Sequence, residues 1–383
     1  MKKIKKSIFI FSLTCMLSGC SFSDVYFWNQ EGVGNNEDMT KEVKKVITEE
    51  LVELNDDEIA DSGVLVTDGE KNFNLFGNKT VTADFNLKGS GSNIDSIAFW
   101  EAPDPLDTLM FVTAKSGDLI EVWKYPFLSN ERSPIRIDGL PNGVAVDQVR
   151  NELLIGDARK NKVLVFALPS LVFKREFGRG VIERGETNLD ILNKDGNSFA
   201  YVSQNNAVHM FNSVTGKKIR TISPPVSEIE TVLVDNFYEL IYIPEGQGSS
   251  GFKAGVYSYQ YDGNLNNKKG SNFFGGGGIF VDDEEGIALY TCPSDKSSDN
   301  GAGFIIISEQ SSPLNQFEFF NRQTWKHIGT LQIEGVNNTD GIAIFQKPLP
   351  KFPSGIFAAI DDDSRISVVS WEKVAEATGL SCD

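Results

Sequence analysis

From about residue 64 onward, short apolar runs alternate with turn residues. The first runs are Val64–Val66, Thr80–Asn86, Leu109–Val112, Leu119–Trp123, Gly143–Val146, Glu152–Ile155, Val163–Ala167 and Ala200–Val202. The pattern continues through Ala207–Phe211, Thr231–Val234, Leu240–Ile243, Gly255–Tyr261, Ile287–Tyr290, Phe304–Ile307, Phe317–Phe320, Gly341–Phe345, Gly355–Ile360 and Ile366–Val369. Val, Ile, Phe and Tyr fill the runs, and this spacing predicts an all-β sandwich, barrel or propeller. Several runs pair with one cadence: an apolar strand, a turn with Gly, Lys, Asn or Asp, then a strand with an aromatic residue near its end. Leu109–Val112 with Leu119–Trp123, Glu152–Ile155 with Val163–Phe166, and Leu240–Ile243 with Gly255–Tyr261 are examples. A propeller blade takes about four strands, or ~40–50 residues, so the ~320 residues of this texture fit six or seven blades. Helical spacing occurs in two short stretches: Val43, Val46, Ile47, Leu51 and Leu54 within residues 41–54, and Trp371 to Ala377 at the end.

The first twenty residues read as an address. Lys2, Lys3, Lys5 and Lys6 precede an apolar stretch, Ile8 to Leu17, that is shorter than the roughly 20 residues a spanning helix needs. Charged start, short apolar middle and small residues at the end predict a secretory signal over residues 1–19. Its end, Leu17-Ser18-Gly19-Cys20, resembles the lipobox of bacterial lipoproteins, in which the Cys carries the lipid. The expectation is therefore an exported chain, anchored at the cell envelope through Cys20, with Ser21 leaning towards outer-membrane sorting. Residues 20–62 then form a tether with one short amphipathic helix, and residues 63–383 form the β domain. Export permits a disulfide between Cys292 and Cys382, while a buried, unpaired Cys292 is the other reading.

Charge narrows the partners. The chain has 36 Lys+Arg against 53 Asp+Glu, a net charge of −17, and two His, His209 and His327. A strongly acidic chain without a long basic run is a poor nucleic-acid binder. Two His leave little room for a His-rich zinc site. Many acids stand where a strand begins or ends: Asp95, Glu230, Glu245, Asp283, Glu285 and Asp340. Carboxylates are ligands for Ca²⁺, and without an EF-hand spacing a calcium site must be assembled from distant strands, as around a propeller channel. Taken singly, each of these acids also reads as a solvated turn residue. The basic groups available to a phosphate are Lys115 in Lys115-Ser116-Gly117, Arg159 and Arg322, each of which also reads as surface charge. No P-loop, Gly-x-Ser-x-Gly elbow or complete dinucleotide fingerprint occurs.

Read in order, these segments resemble the β-propeller phytases. Asp95 to Trp100 and the Lys115-Ser116-Gly117 turn are similar to the family's Asp-Asp-Pro-Ala-Ile-Trp segment and Lys-Ser-Gly turn. Ile229-Glu230-Thr231 through Ile243-Pro244-Glu245 resembles the Thr-Glu-Gly-Met strand pair with its second Glu. Asp283-Glu284-Glu285-Gly286 resembles Asp-Ile-Glu-Gly, and Asn338-Thr339-Asp340-Gly341-Ile342 resembles Asp-Thr-Asp-Gly-Ile. Ser354 to Ala359 and Ser370 to Ala375 match the tail. The resemblance implies a six-bladed β-propeller, a 3-phytase-like phosphatase that hydrolyses phosphomonoesters of phytate, with calcium and a metal-activated water as nucleophile. It implies Asp95, Glu230, Glu245, Asp283, Glu285 and Asp340 as calcium ligands, and Lys115, Asn142, Arg159 and Arg322 as substrate contacts. Lys115, Arg159, Glu230 and Asp340 fall in its catalytic group. The chain departs from the family at Ser96, Ala114, Asn205 and Asn206, where one metal ligand and basic or acidic contacts are replaced. Those departures keep open a second reading, a surface propeller that binds a ligand without turnover.

Overall fold

The computed structural model describes residues 75–127, 133–183, 185–246, 254–266, 271–280, 282–292 and 299–382. The expected signal sequence, Cys20, the expected tether, the helix expected at 41–54, the strand expected at Val64–Val66 and the boundary expected at 62/63 lie outside the described residues. The rest is a six-bladed β-propeller.

Each blade is an antiparallel sheet that runs outward from the channel. Blade one holds β3 (Ile94–Trp100), β4 (Leu109–Ala114), β5 (Leu119–Lys124) and β6 (Ile135–Arg136). Blade two holds β7 (Pro141–Asp147), β8 (Glu152–Asp157), β9 (Lys162–Ala167) and β10 (Val172–Phe177). Blade three holds β11 (Leu189–Lys194), β12 (Asn197–Gln204), β13 (Ala207–Asn212) and β14 (Lys218–Ile222). Blade four holds β15 (Leu233–Asp235), β16 (Leu240–Pro244), β17 (Val256–Gln260) and β18 (Phe273–Phe274). Blade five holds β19 (Asp283–Thr291), β20 (Gly303–Gln310), β21 (Gln316–Asn321) and β22 (His327–Ile333), and β1 (Gly77–Val81) adds a parallel strand beyond β22. Blade six holds β23 (Ile342–Phe345), β24 (Ile356–Asp361) and β25 (Arg365–Ser370), and β2 (Phe85–Lys88) supplies its outermost strand.

The predicted run Thr80–Asn86 is thus two strands in two blades. Asp84 separates them: its Oδ2 accepts from the Ser370 backbone N–H at 2.6 Å and its Oδ1 pairs with Lys373 at 2.8 Å. A polar residue that must face those donors cannot continue a ladder.

Six apolar clusters hold the ring together, one between each pair of neighbouring blades. Phe111, Val122, Leu153 and Phe166 pack blade one on blade two, and Phe304, Phe317, Phe357 and Val369 pack blade five on blade six. The middle strands of a blade are apolar on both faces, because each face meets another blade. That is why β4, β5, β8, β9, β16 and β17 are visible as apolar runs. The C-terminal helix α1 (Trp371–Thr378) is capped by Ser370 and stopped by Gly379 at φ 71°. Its Trp371 ring stacks on Tyr290 with centroids 3.6 Å apart. Beyond it, Cys382 is joined to Cys292 by a disulfide, which settles the pairing left open above.

Candidate functional site at the channel mouth

The innermost strands β3, β7, β11, β15, β19 and β23 line a central cavity of about 300 Å³. Ile97, Val144, Leu189, Val232, Ile287 and Ile342 stand along its wall, and its mouth is acidic, with Asp95, Glu186, Glu285 and Asp340. Those acids stand at the strand starts, and the sequence has a local device there. The ladders shift register between Ile94 and Ile97, between Pro141 and Val144, and between Glu284 and Gly286. A bulge re-aims a side chain. The three bulges carry Asp95, Asn142 and Glu285.

Glycines following the site residues bring neighbouring backbones together. A Cβ on Gly341 would lie 2.3 Å from the Asp95 carbonyl oxygen, and one on Gly286 would lie 2.5 Å from that of Asp340. A Cβ on Gly143 would meet the Asn188 Cα at 2.4 Å. No side chain fits such gaps, so the Asn-Gly, Glu-Gly and Asp-Gly dipeptides fix the mouth's circumference by direct backbone contact.

Lys115 reaches this mouth from the turn between β4 and β5. Its Nζ lies 2.6 Å from Asp95 Oδ1 and 2.8 Å from Glu186 Oε1. Burial works against its charge, yet those two carboxylates more than offset this and raise its pKa. Asn142 Nδ2 donates to Asp95 Oδ2 at 2.7 Å and to Glu186 Oε2 at 3.3 Å, while its Oδ1 accepts from the Thr187 backbone N–H. Ser96 Oγ lies 3.0 Å from Asp95 Oδ2 and 2.9 Å from Asn188 Oδ1, and Asn188 Nδ2 donates to the Glu230 carbonyl oxygen at 2.6 Å.

The remaining carboxyls are crowded. Burial, then Glu186, pushes Glu230 up to about 8. Burial works against the charge of Glu186 too, but Lys115 holds it below the usual carboxylate range. Burial, then Glu230, Asp340 and Asp95, pushes Glu285 up to about 10. Burial, then Asp95 and Asp363, pushes Asp340 up to about 8, and Gln310 Nε2 donates to its Oδ1 at 2.5 Å. Burial raises Asp95 to about 6 against the pull of Lys115. Five carboxyls therefore share the mouth with one ammonium, and their crowding favours bound protons or an incoming cation over free negative charge.

A protein-family model described as Phytase matches residues 191–383, just over half of the chain. The chain belongs to the Phytase family. No curated protein matches it in sequence. Among solved structures, Kuenenia stuttgartiensis hydrazine synthase is similar, with a TM-score of 0.51 and 13% identity over 77% of this chain and 81% of that one. At that identity the likeness concerns the fold alone. The phytase-family match contains Glu230, Glu245, Asp283, Glu285 and Asp340. Asp95, Lys115 and Asn142 precede it, and the propeller closes them onto the same mouth.

The donor set of this phytase-family mouth suits a hard cation: carboxylate and amide oxygens, with neither His nor Cys among them. Among the described residues no three His, Cys, Asp or Glu side chains stand at ligand spacing around one point.

The expected site residues divide. Asp95, Lys115, Asn142, Glu230, Glu285 and Asp340 come together. Arg159 stands beside the Lys115 turn, half exposed and 3.2 Å from Asp118 Oδ1. Glu245 Oε1 accepts from the Ser227 backbone N–H at 3.3 Å, and Asp283 opens β19. Asn205 and Asn206 form an exposed turn near the mouth, where the Asn205 carbonyl accepts from the Ile229 N–H at 2.6 Å. The structure corrects Arg322 as a substrate contact. It is fully buried; Nε and Nη2 grip Asp235 at 2.7 and 2.6 Å, and Nη1 and Nη2 grip Asp299 at 2.7 and 2.9 Å. Nη1 also donates to the Ala302 carbonyl at 3.1 Å. Asp235 ends β15, at the end of that inner strand away from Glu230. Arg322→Met should leave both aspartates unpaired and lower stability by about 3–5 kcal/mol in urea unfolding, with kcat unchanged in the folded fraction. His327 pairs with Glu318 at 2.5 Å and His209 with Thr221 at 3.1 Å, both in the sheets rather than at the mouth. Sequence reasoning missed Glu186, Asn188 and Gln310. Glu186 carried a usable signal: like Asp340, it is an acid just before an inner strand.

Proposed function

We propose that this chain is a calcium-dependent phosphatase that removes phosphate from phytate, of the 3-phytase kind, exported and held at the cell envelope by a lipid on Cys20. Membership of the Phytase family supports phytate-hydrolysing phosphatase activity in general. The observation that carries the finer reading is the meeting of Asp95, Glu186, Glu230, Glu285 and Asp340 around Lys115 and Asn142 at one channel mouth. The Cys292–Cys382 disulfide supports export, since such bonds persist in oxidising compartments.

Glu230, Glu285, Asp340 and Asp95 would hold calcium. Bound there, it supplies positive charge for the phosphate and a more acidic water. The chain's own residues do the rest. Lys115 is held at the mouth by Asp95 and Glu186, so its ammonium meets a phosphate oxygen without first being ordered. Asn142, fixed through its Oδ1, turns its amide donors toward the same place. Asp95 keeps Lys115 charged, and Arg159 waits at the rim for an outer phosphate of a polyphosphorylated ring.

The test is phosphate release from phytate by protein beginning at Ser21, with Ca²⁺ or with a chelator. Release that needs Ca²⁺ and is lost in Asp340→Ala is the expected result. A folded protein that binds phytate but releases nothing from phytate or simple phosphomonoesters would replace this reading with the ligand-capturing propeller.

A further inference from the structure

Glu121 is a fully buried acid in β5 of blade one. Its Oε1 accepts from the backbone N–H groups of Ser90 and Gly91 at 2.5 and 2.7 Å, and from Ser90 Oγ at 3.1 Å. Its Oε2 accepts from Trp123 Nε1 at 3.2 Å. A Cβ on Gly89 would lie 2.8 Å from that Oε1, so the Gly89-Ser90-Gly91 turn closes directly on the carboxylate. Bonds from N–H groups to a carboxylate are shorter and stronger than those between neutral groups.

The chain leaving this turn serves both members of the central ion pair. The Asn93 and Ser92 carbonyl oxygens accept from the Lys115 and Ser116 backbone N–H groups at 2.9 and 3.2 Å. Ile94 pairs with Ala114, and Asp95 follows in the bulge of β3. One short segment thus seats the Lys115 turn and delivers Asp95, and Glu121 holds the start of that segment.

The other blades repeat the arrangement. In each, a buried polar side chain accepts from a backbone N–H of the chain entering the innermost strand. Asp157 takes Leu140 at 3.0 Å, Gln204 takes Glu183 at 2.7 Å and Glu245 takes Ser227 at 3.3 Å. Glu309 takes Asp282 at 2.8 Å and Asp361 takes Asn337 at 3.3 Å. All five acceptors stand at or beside the end of the second strand of their blade. In blade one that place holds Ala114 and Lys115, and the acceptor comes from the third strand instead. The Lys115 side chain is thereby left to enter the mouth.

We propose that Glu121 is a positioning residue for Lys115 and Asp95, holding the entry of β3 so that ammonium and carboxylate meet where a substrate phosphate arrives. It acts through the backbone of residues 90–93 and touches neither substrate nor cation. Its effect on turnover rests on the phosphatase reading above, whereas its effect on the Lys115 turn does not.

The test joins amide hydrogen exchange, read by mass spectrometry on peptides covering residues 89–93 and 115–118, to steady-state kinetics on phytate at saturating Ca²⁺. The full chain, Glu121→Gln and Glu121→Met are compared. In wild type the two peptides should open with equal free energies, because one local opening frees both. Glu121→Met should exchange faster in both peptides, with the other blades at wild-type rates. It should also lose about tenfold to hundredfold in kcat with a far smaller change in KM, the scale of loss from a misplacement of about 1 Å. Glu121→Gln keeps one oxygen for Ser90 and Gly91 and should recover most of both signals. A rise in exchange spread evenly over all blades would overturn the proposal, leaving Glu121 a general stabilising group. Faster exchange at 89–93 with wild-type rates at 115–118 would overturn it as well. Where Glu121→Met does not fold, wild type decides, and unequal opening of its two peptides overturns the proposal. Coupled exchange in a chain that releases no phosphate would support the placement of Lys115 by Glu121 and remove the phosphatase reading instead.

Discussion

Lys115→Met should lower kcat/KM for phytate by about 10²–10³-fold, the loss that follows removal of one preorganised charge-stabilising group from a site. Among the described residues Lys115 is the cation in contact with the cup's carboxylates, at 2.6 and 2.8 Å. Its side chain is only 16% exposed, so water cannot fully replace it. Because charge on the phosphate grows toward the transition state, the loss should fall mainly on kcat. Arg159→Met should behave differently. Arg159 is half exposed and pairs with Asp118 rather than with the cup, so its removal should raise KM by less than about tenfold and leave kcat near wild type. Steady-state kinetics at saturating Ca²⁺ separates the two. A loss confined to KM in Lys115→Met would mean that the ammonium only captures substrate.

The metal-stripped protein should lose stability steeply as pH rises from about 5 to about 9, and Ca²⁺ should restore it. In the unfolded chain these carboxyls titrate near the ordinary 4–4.5. In the fold, burial and mutual repulsion hold Glu230 and Asp340 at about 8 and Glu285 at about 10. Between those limits the fold keeps protons that the unfolded chain has released, so unfolding becomes easier with each step in pH. The stability is intact below the unfolded values and is lost as pH climbs through the folded ones. One pKa unit is about 1.4 kcal/mol, so the group as a whole represents several kcal/mol. Calcium at the mouth reverses the sign, because it prefers the ionised carboxylates that high pH supplies. Calorimetric melting across this range, in chelator and in millimolar Ca²⁺, should give curves that diverge upward with pH. A chelator curve flat with pH would show that the cup does not hold those protons, and coincident curves that it does not take the cation.

The sequence made the blade interiors legible and the blade edges illegible, for one physical reason. β4, β5, β8 and β9 are buried on both faces and stand out as apolar runs. β10 and β14 are outermost strands whose residues are mostly exposed, so Val-Phe-Lys-Arg-Glu-Phe and Lys-Ile-Arg-Thr-Ile carry little pattern. The site was legible where an acid stands at the end of a strand-like run, as at Asp95, Glu230, Glu285 and Asp340. Asn142 came only through the family resemblance. Arg322 misled because its partners are remote: Asp235 lies 87 residues back and Asp299 23 residues back. No local window reveals that such an arginine is already spent. Glu186 lay in plain view in Gly185-Glu186-Thr187, but no family motif drew attention to it.

The way the ring closes bears on when this protein can become itself. β2 pairs with β25, joining Phe85–Lys88 to Arg365–Val368, and β1 pairs with β22. The first strands of the propeller thus have their partners near its end, and the disulfide adds a clasp spanning 90 residues that also waits for Cys382. Contacts so distant in sequence form slowly, because a long loop must close before they give anything back. A chain emerging from its N-terminus can build blades one to four while β1 and β2 remain single strands with open edges. The mouth is in the same position, since Asp340 and Gly341 belong to the last blade and abut Asp95 in the first. The acidic cup is therefore a property of the finished molecule, and a chain truncated even a few strands early would have five blades' worth of residues and no site.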